Sequence, residues 1–214
     1  MVSRTVLVPA ERVVRWFDNF GARHGRPDLA VHDGRLVATA PDGAVAEAAL
    51  PFSRQYDAQP DVVAFTDAVS APVRWGVLLV RKGGFAVAAG TADRPEVSKL
   101  GQRHVQGRTK AGGQSQQRFA RRRDNQARQA YDAAADHAHR VLVTEFGGVD
   151  ALVCGGDRAA VDAVLADPRL ARPAARRTDL WLPVPDPRRA VLDQAVRDAR
   201  AAQVRVTEPG DGDG

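Results

Sequence analysis

With only one cysteine, Cys154, in 214 residues, the chain cannot form an internal disulfide, which fits a reducing compartment. Cys154 closes the apolar run Ala151-Leu152-Val153 and reads as a buried small hydrophobe, not a nucleophile. No apolar stretch approaches the ~20 residues of a membrane span. Val6-Leu7-Val8 is followed at once by Glu11 and Arg12, which is not a signal-peptide core. These absences predict a cytoplasmic chain with no membrane partner. Metal-ligand spacing is lacking too, since His137 and His139 lie two apart and would point to different faces of a helix. His24, His32 and His104 are isolated, and there is no Gly-x-Ser-x-Gly elbow or Walker loop. No metal and no cofactor are expected. Lysine is confined to Lys82, Lys99 and Lys110, so the positive charge is nearly all guanidinium. Guanidinium forks onto phosphate and stacks on bases, although a GC-rich genome would also favour arginine.

The charge that is present is unevenly placed. The net charge of +5 and pI near 10.1 are modest, yet Arg103 to Arg128 is far more basic than the rest. No acid occurs between Glu96 and Asp124. Inside that window runs Arg108-Thr109-Lys110-Ala111-Gly112-Gly113-Gln114-Ser115-Gln116-Gln117-Arg118-Phe119-Ala120-Arg121-Arg122-Arg123. Gly112 and Gly113 free the backbone for positive φ and close approach to a ligand. Gln114 then offers an amide with two donors and one acceptor, and no proton that titrates near neutrality. From Ser115 the composition turns helical, and Arg118, Arg121, Arg122 and Arg123 crowd its first turns. Cations there oppose the helix dipole, which prefers acids at its N-terminus. An anionic partner would relieve that conflict. Gln116 and Gln117 are alternative amides, but they lie within the helix and lack the glycine approach.

In chain order, Pro9–Phe20 has helical apolar spacing and Gly21–Pro27 breaks it. Val31–Ala40 and Ala44–Phe52 read as strands around a Pro41-Asp42-Gly43 turn. Asp61–Ser70 fits either a short helix or a buried strand. Val73–Arg81 and Phe85–Thr91 form an antiparallel hairpin about Lys82-Gly83-Gly84. Glu96–Gln106 follows as a third strand leading into a loop, Gly107–Gly113. Ser115 to about Glu145 reads as one long helix, ended by Gly147-Gly148, whose stripe of small residues would lie flat on a sheet. Ala151–Cys154 is a buried strand, and Gly155-Gly156 turns into a helix Asp157–Ala166 with Asp157 as N-cap. A phosphate site at that helix start is possible, but a structural turn is the simpler reading. Leu180–Val184 is a further strand, Pro187–Ala202 an amphipathic helix and Val204–Val206 a short extended tail. The domain reading is an N-terminal accessory sub-domain of α+β type over 1–70, a catalytic α/β domain over 71–206 and a disordered acidic tail over 207–214.

The run Gly112-Gly113-Gln114-Ser115, with Lys110 upstream and Arg118-Phe119-Ala120-Arg121 and Arg123 downstream, resembles the GGQ loop and following helix of eukaryotic and archaeal class-I peptide-chain release factors. It is most similar to the Vms-like release-factor family, which includes a compact actinobacterial branch of peptidyl-tRNA hydrolases. The resemblance covers roughly Val73 to Ala202. It implies a mixed β-sheet with packed helices, of ribonuclease-H-like type, and a loop that enters the peptidyl-transferase centre, where the glutamine coordinates the hydrolytic water. The implied partners are large-subunit rRNA and peptidyl-tRNA, with no DNA. Gly112, Gly113 and Gln114 would be catalytic. Arg108, Lys110, Arg118, Arg121, Arg122 and Arg123 would bind RNA phosphates, with an affinity that falls with salt.

The chemistry agrees with that implication on its own terms. Hydrolysing an ester needs a placed water and a stabilised oxyanion, and an oriented amide with a backbone N–H can supply both. A ribonuclease-H-like nuclease would need carboxylates to hold two metals, and the acid-free window excludes them there. The codon-reading and partner-binding domains of a full class-I factor do not fit this length, so codon-independent release from stalled ribosomes or large subunits is expected, by a protein monomeric off the ribosome. The alternative is a non-catalytic ribosome- or RNA-binding protein, for which Gln114 would be dispensable and the arginines would not.

Overall fold

A computed structural model describes residues 3–82, 84–102 and 129–208. The chain divides into two units. One comprises Met1–Pro72 with Arg197–Gly214, the other Val73–Val196.

The first unit is a five-stranded antiparallel sheet in the order β1-β10-β4-β3-β2. Its strands are β1 (Ser3–Val8), β2 (Asp28–His32), β3 (Arg35–Thr39), β4 (Val45–Ala49) and β10 (Ala202–Thr207). The sequence places Val204–Val206 in a tail of the catalytic domain. In the structure those residues are the second strand of this sheet, paired with β1 on one side and β4 on the other. The alternation decides it: Ala202, Val204 and Val206 are buried while Arg205 is exposed, the period-2 pattern of a half-buried strand. Val31–Ala40 likewise splits into β2 and β3, because Asp33 and Gly34 both adopt positive φ, as a two-residue hairpin turn requires. Helix α1 (Ala10–His24) runs through Gly21 and stops at Gly25, which holds a φ of 90°. One interior glycine costs only about 1 kcal/mol, and Val13, Phe17 and Phe20 buried on one face hold the helix across it. Asp61–Ser70 resolves as α2 (Val62–Ser70), with the Asp61 carboxylate accepting from the Ala64 N–H at 2.8 Å.

The second unit is a mixed sheet in the order β7-β6-β5-β8-β9. Here β5 (Trp75–Arg81), β6 (Gly84–Gly90) and β7 (Val97–Gln102) form an antiparallel meander, and β8 (Ala151–Gly156) and β9 (Arg177–Leu182) add in parallel. Three meander strands followed by two parallel ones beside the first is the ribonuclease-H-like arrangement. The fold class is therefore mixed α/β, with helices packed on the sheet. Helix α3 is described from residue 129 and ends in a π-helical turn, Arg140–Glu145. Its Ala134, Ala135, Ala138, Val141 and Leu142 join Leu78, Val87, Leu152 and Cys154 in one core. Val77, Leu79, Ala88 and Val153, which alternate with them, are equally buried, so the central strands are covered on both faces. Burial also pushes the Cys154 thiol up to about 12, which keeps it protonated and inert. Helix α4 (Arg158–Leu165) starts on the expected Asp157 cap, whose carboxylate accepts from Ala159 and Ala160 N–H. The turn Pro168–Leu170 and the short α5 (Ala171–Ala174) lead to β9, which begins three residues before the sequence places it. Helix α6 (Arg189–Ala199) then returns the chain to the first unit. No helix among the described residues is long and apolar enough to cross a membrane.

Candidate active site

Every residue singled out for catalysis or RNA binding falls between β7 and α3. Arg108, Lys110, Gly112, Gly113, Gln114, Arg118, Arg121, Arg122 and Arg123 lie outside the described residues, as do the expected loop and the first turns of the expected long helix. The structure defines the two anchors from which this segment departs: the end of β7 at Gln102 and helix α3 from residue 129.

Among the described residues the β7 anchor is an edge strand, paired along its length with β6. Gly101, one residue from its end, lies opposite Phe85, and a Cβ at Gly101 would overlap the Phe85 ring. The missing side chain lets that ring lie across the strand and stack on His137 of α3, with centroids 5.3 Å apart and planes at 25°. Strand and helix are thus coupled through one aromatic layer near the end of β7 at Gln102.

His137 is half-buried, and its Nδ1 is buried with no hydrogen-bond partner among the described residues. Its pKa is lowered from 6.5, first by desolvation and then by the positive charges of Arg140 and Lys99, which outweigh Asp136. The unfolded chain therefore binds this proton more readily than the fold does. The contribution of a neutral His137 to stability is present above about pH 6.5 and lost as pH falls through the folded-state value. Thermal midpoints measured from pH 7.5 down to 5 should fall for the wild type and fall less for His137→Phe. Parallel curves would show that His137 does not titrate with folding.

The far end of α3 is held by Arg74, just before β5. Its guanidinium donates from Nη2 to the Phe146 carbonyl at 2.7 Å and to the Gly148 carbonyl at 2.8 Å, and from Nε to the Gly148 carbonyl at 3.1 Å. It also lies over the Phe146 ring, 4.6 Å from the centroid. Within the turn the Phe146 N–H reaches back five residues to the Val141 carbonyl at 3.2 Å, and Gly148 N–H reaches Leu142 at 2.9 Å. Midway along the helix, Asp136 pairs with Arg169 at 2.7 Å, and Arg169 also pairs with Asp167. The Arg169 hydrogen bonds hold the Asp167 carboxyl at about 2.

Sequence reasoning considered His137 only as a metal ligand and did not single out Arg74 or Phe85. Nothing in the local pattern marks them, because their roles come from contacts between residues 52 and 74 positions apart. Among the described residues no group of histidine, cysteine or carboxylate side chains is arranged to hold a metal.

A protein-family model, the Actinobacteria/chloroflexi VLRF1 release factor, matches residues 73–205, well over half of the chain. The chain belongs to this release-factor family. The matched span contains both anchors and the whole segment between them, Gly112-Gly113-Gln114 included. Comparison with curated proteins finds no match. Among solved structures the chain is similar to an archaeal protein (12% identity, 91% of this chain and 63% of that one, TM-score 0.37). It is also similar to the Vms1 mitochondrial localization core (11% identity, 90% and 80%, TM-score 0.39). A third is the archaeal translation termination factor aRF1 (11% identity, 92% and 64%, TM-score 0.38). The VLRF1-family chain thus spans less than two thirds of the archaeal protein and of aRF1.

Proposed function

We propose that this protein is a codon-independent peptidyl-tRNA hydrolase that releases nascent peptides from stalled ribosomes or from large subunits. The observation that carries the proposal is the family match over 73–205, which spans a Gly-Gly-Gln run set in an acid-free, arginine-rich segment. In this reading water attacks the ester carbonyl carbon. The bond to the ribose oxygen of the terminal adenosine breaks, giving a peptide carboxylate and a tRNA with a free hydroxyl. Gln114 orients the water and, through its backbone N–H and amide, stabilises the oxyanion. Gly112 and Gly113 give the loop a slender approach to the peptidyl-transferase centre. Arg108, Lys110, Arg118, Arg121, Arg122 and Arg123 hold rRNA and tRNA phosphates. The acceptor of the reaction is water, and no metal or cofactor is required. The unit Val73–Val196 carries the catalytic segment, and the N-terminal unit is accessory. The protein works in the cytoplasm and is a monomer off the ribosome.

Codon independence is tested by measuring release from ribosomes stalled with a sense codon, a stop codon or no codon in the vacant decoding site. Equal rates on all three are expected. A strong requirement for a stop codon would overturn this reading in favour of ordinary termination.

A further inference from the structure

We infer that the surface made by α4 and β9 is a further RNA contact, in which Arg158, stacked on Trp181, donates to the sugar–phosphate backbone of large-subunit rRNA. The inference takes its partner from the proposed function and adds a binding surface to it.

The cluster is built by an irregularity in an edge strand. Leu152 and Cys154, two apart on β8, pair with Arg177 and Trp181, four apart on β9. Residues two apart on a strand share a face, and so do their partners. The bulge therefore brings Arg177 beside Trp181, on the side where α4 packs. Trp181 is half-buried against that core. The Arg158 guanidinium, from the first residue of α4, lies over its ring at 4.4 Å from the centroid, and that of Arg177 lies 5.3 Å away. The two arginines differ in what else they touch. Arg177 donates from Nη1 to the Asp162 carboxylate at 2.6 Å. Arg158 is exposed and makes no hydrogen bond or ion pair with any other described residue. Stacking occupies the flat face of a guanidinium and leaves its in-plane N–H donors available, so the ring orders a long side chain while its phosphate-binding edge stays open.

The surrounding charge favours an anion. A cation in the first turn of α4 opposes the helix dipole, and a bound anion would relieve that conflict. Between Asp167 and Asp179 the chain carries Arg169, Arg172, Arg176 and Arg177 and no acid. Three of the aspartates in this part of the chain are engaged: Asp157 accepts the Ala159 and Ala160 N–H groups, Asp162 holds Arg177, and Asp167 holds Arg169. Arg172 and Arg176 are exposed, and neither guanidinium is paired among the described residues. A phosphodiester accepts an arginine fork through two oxygens, and rRNA presents such groups in an unbroken array, so RNA is the anion this surface fits.

The test uses the full-length protein and purified large subunits, with binding measured from 50 to 200 mM salt. Arg158→Gln, at an exposed position, should weaken binding about tenfold at the lowest salt and flatten the slope of log affinity against log salt by roughly 0.7 to 0.9. Asp162→Asn should do the opposite, because freeing Arg177 adds a cation to the surface. Binding then tightens and the slope steepens, a gain that misfolding cannot imitate. Cys154 is buried and inert, so an Fe–EDTA probe on Ala159→Cys reports from this surface and should cut large-subunit rRNA at one place. Wild-type affinity and slope in Arg158→Gln, or weaker binding by Asp162→Asn, would overturn the contact. Weakened binding by Arg158→Gln with no rRNA cut by the probe would overturn the RNA assignment in favour of an acidic ribosomal protein. Peptide release is followed on the same samples. A wild type that binds through Arg158 without releasing peptide would defeat the hydrolase reading and leave the contact standing, whereas release with binding indifferent to these substitutions would defeat the contact alone.

Discussion

Replacing Gln114 by alanine is expected to lower peptide release by ~10²-fold or more while leaving large-subunit binding unchanged. Losing one preorganised donor to a developing oxyanion costs that much where the donor acts in a site that excludes bulk water. The alanine keeps the backbone N–H and the Gly112-Gly113 approach, so only the amide side chain is removed. A glutamine amide has no proton to give or take near neutrality. The residual rate should therefore keep the wild-type pH profile, whereas loss of a general base would change it. Single-turnover release at saturating protein, with binding followed in parallel, reads both quantities. Equal release by the two proteins would remove Gln114 from the mechanism. Impaired binding by Gln114→Ala would move it from chemistry to docking.

The arginines should give the opposite signature. Replacing Arg118, Arg121, Arg122 and Arg123 by glutamine should weaken large-subunit binding and flatten its salt dependence. Each phosphate contact contributes roughly 0.7 to 0.9 to the slope of log affinity against log salt. Four lost contacts reduce the slope by about 3, so between 50 and 200 mM salt the wild type should lose roughly 60-fold more affinity than the variant. Saturating protein should restore much of the release rate, because in the proposed mechanism these side chains hold the RNA and Gln114 acts at the ester. An unchanged slope would show that the cations lie on a solvated face.

What was legible in the sequence follows from the range of the interactions involved. The hairpin Trp75–Arg81 with Gly84–Gly90 is legible because both strands are apolar runs around a glycine turn. The Asp157 cap is legible because capping is a contact over two or three residues. β10 is not: three valine- and arginine-bearing positions near a C-terminus look like a tail until β1 and β4, some 150 to 200 residues earlier, supply pairing on both sides. The Asp33-Gly34 turn is a local signal that reading Val31–Ala40 as one strand passed over. At the site, the glycines, the glutamine and the arginines stand out as residue types, whereas the parts that hold their anchors do not. Gly101, Phe85 and His137 form one layer only when β6, β7 and α3 meet, and Arg74 reaches carbonyls 72 and 74 residues away.

The most direct measurement identifies the products when the wild-type protein is added to purified large subunits bearing peptidyl-tRNA. Ester hydrolysis yields a peptide with a free carboxylate and a full-length tRNA whose terminal adenosine can be charged again. That pair of products is expected. A peptide still carrying nucleotides, with a tRNA shortened at its 3′ end, would mean that RNA and not the ester is cut, and no release at all would leave an RNA-binding protein in place of a hydrolase.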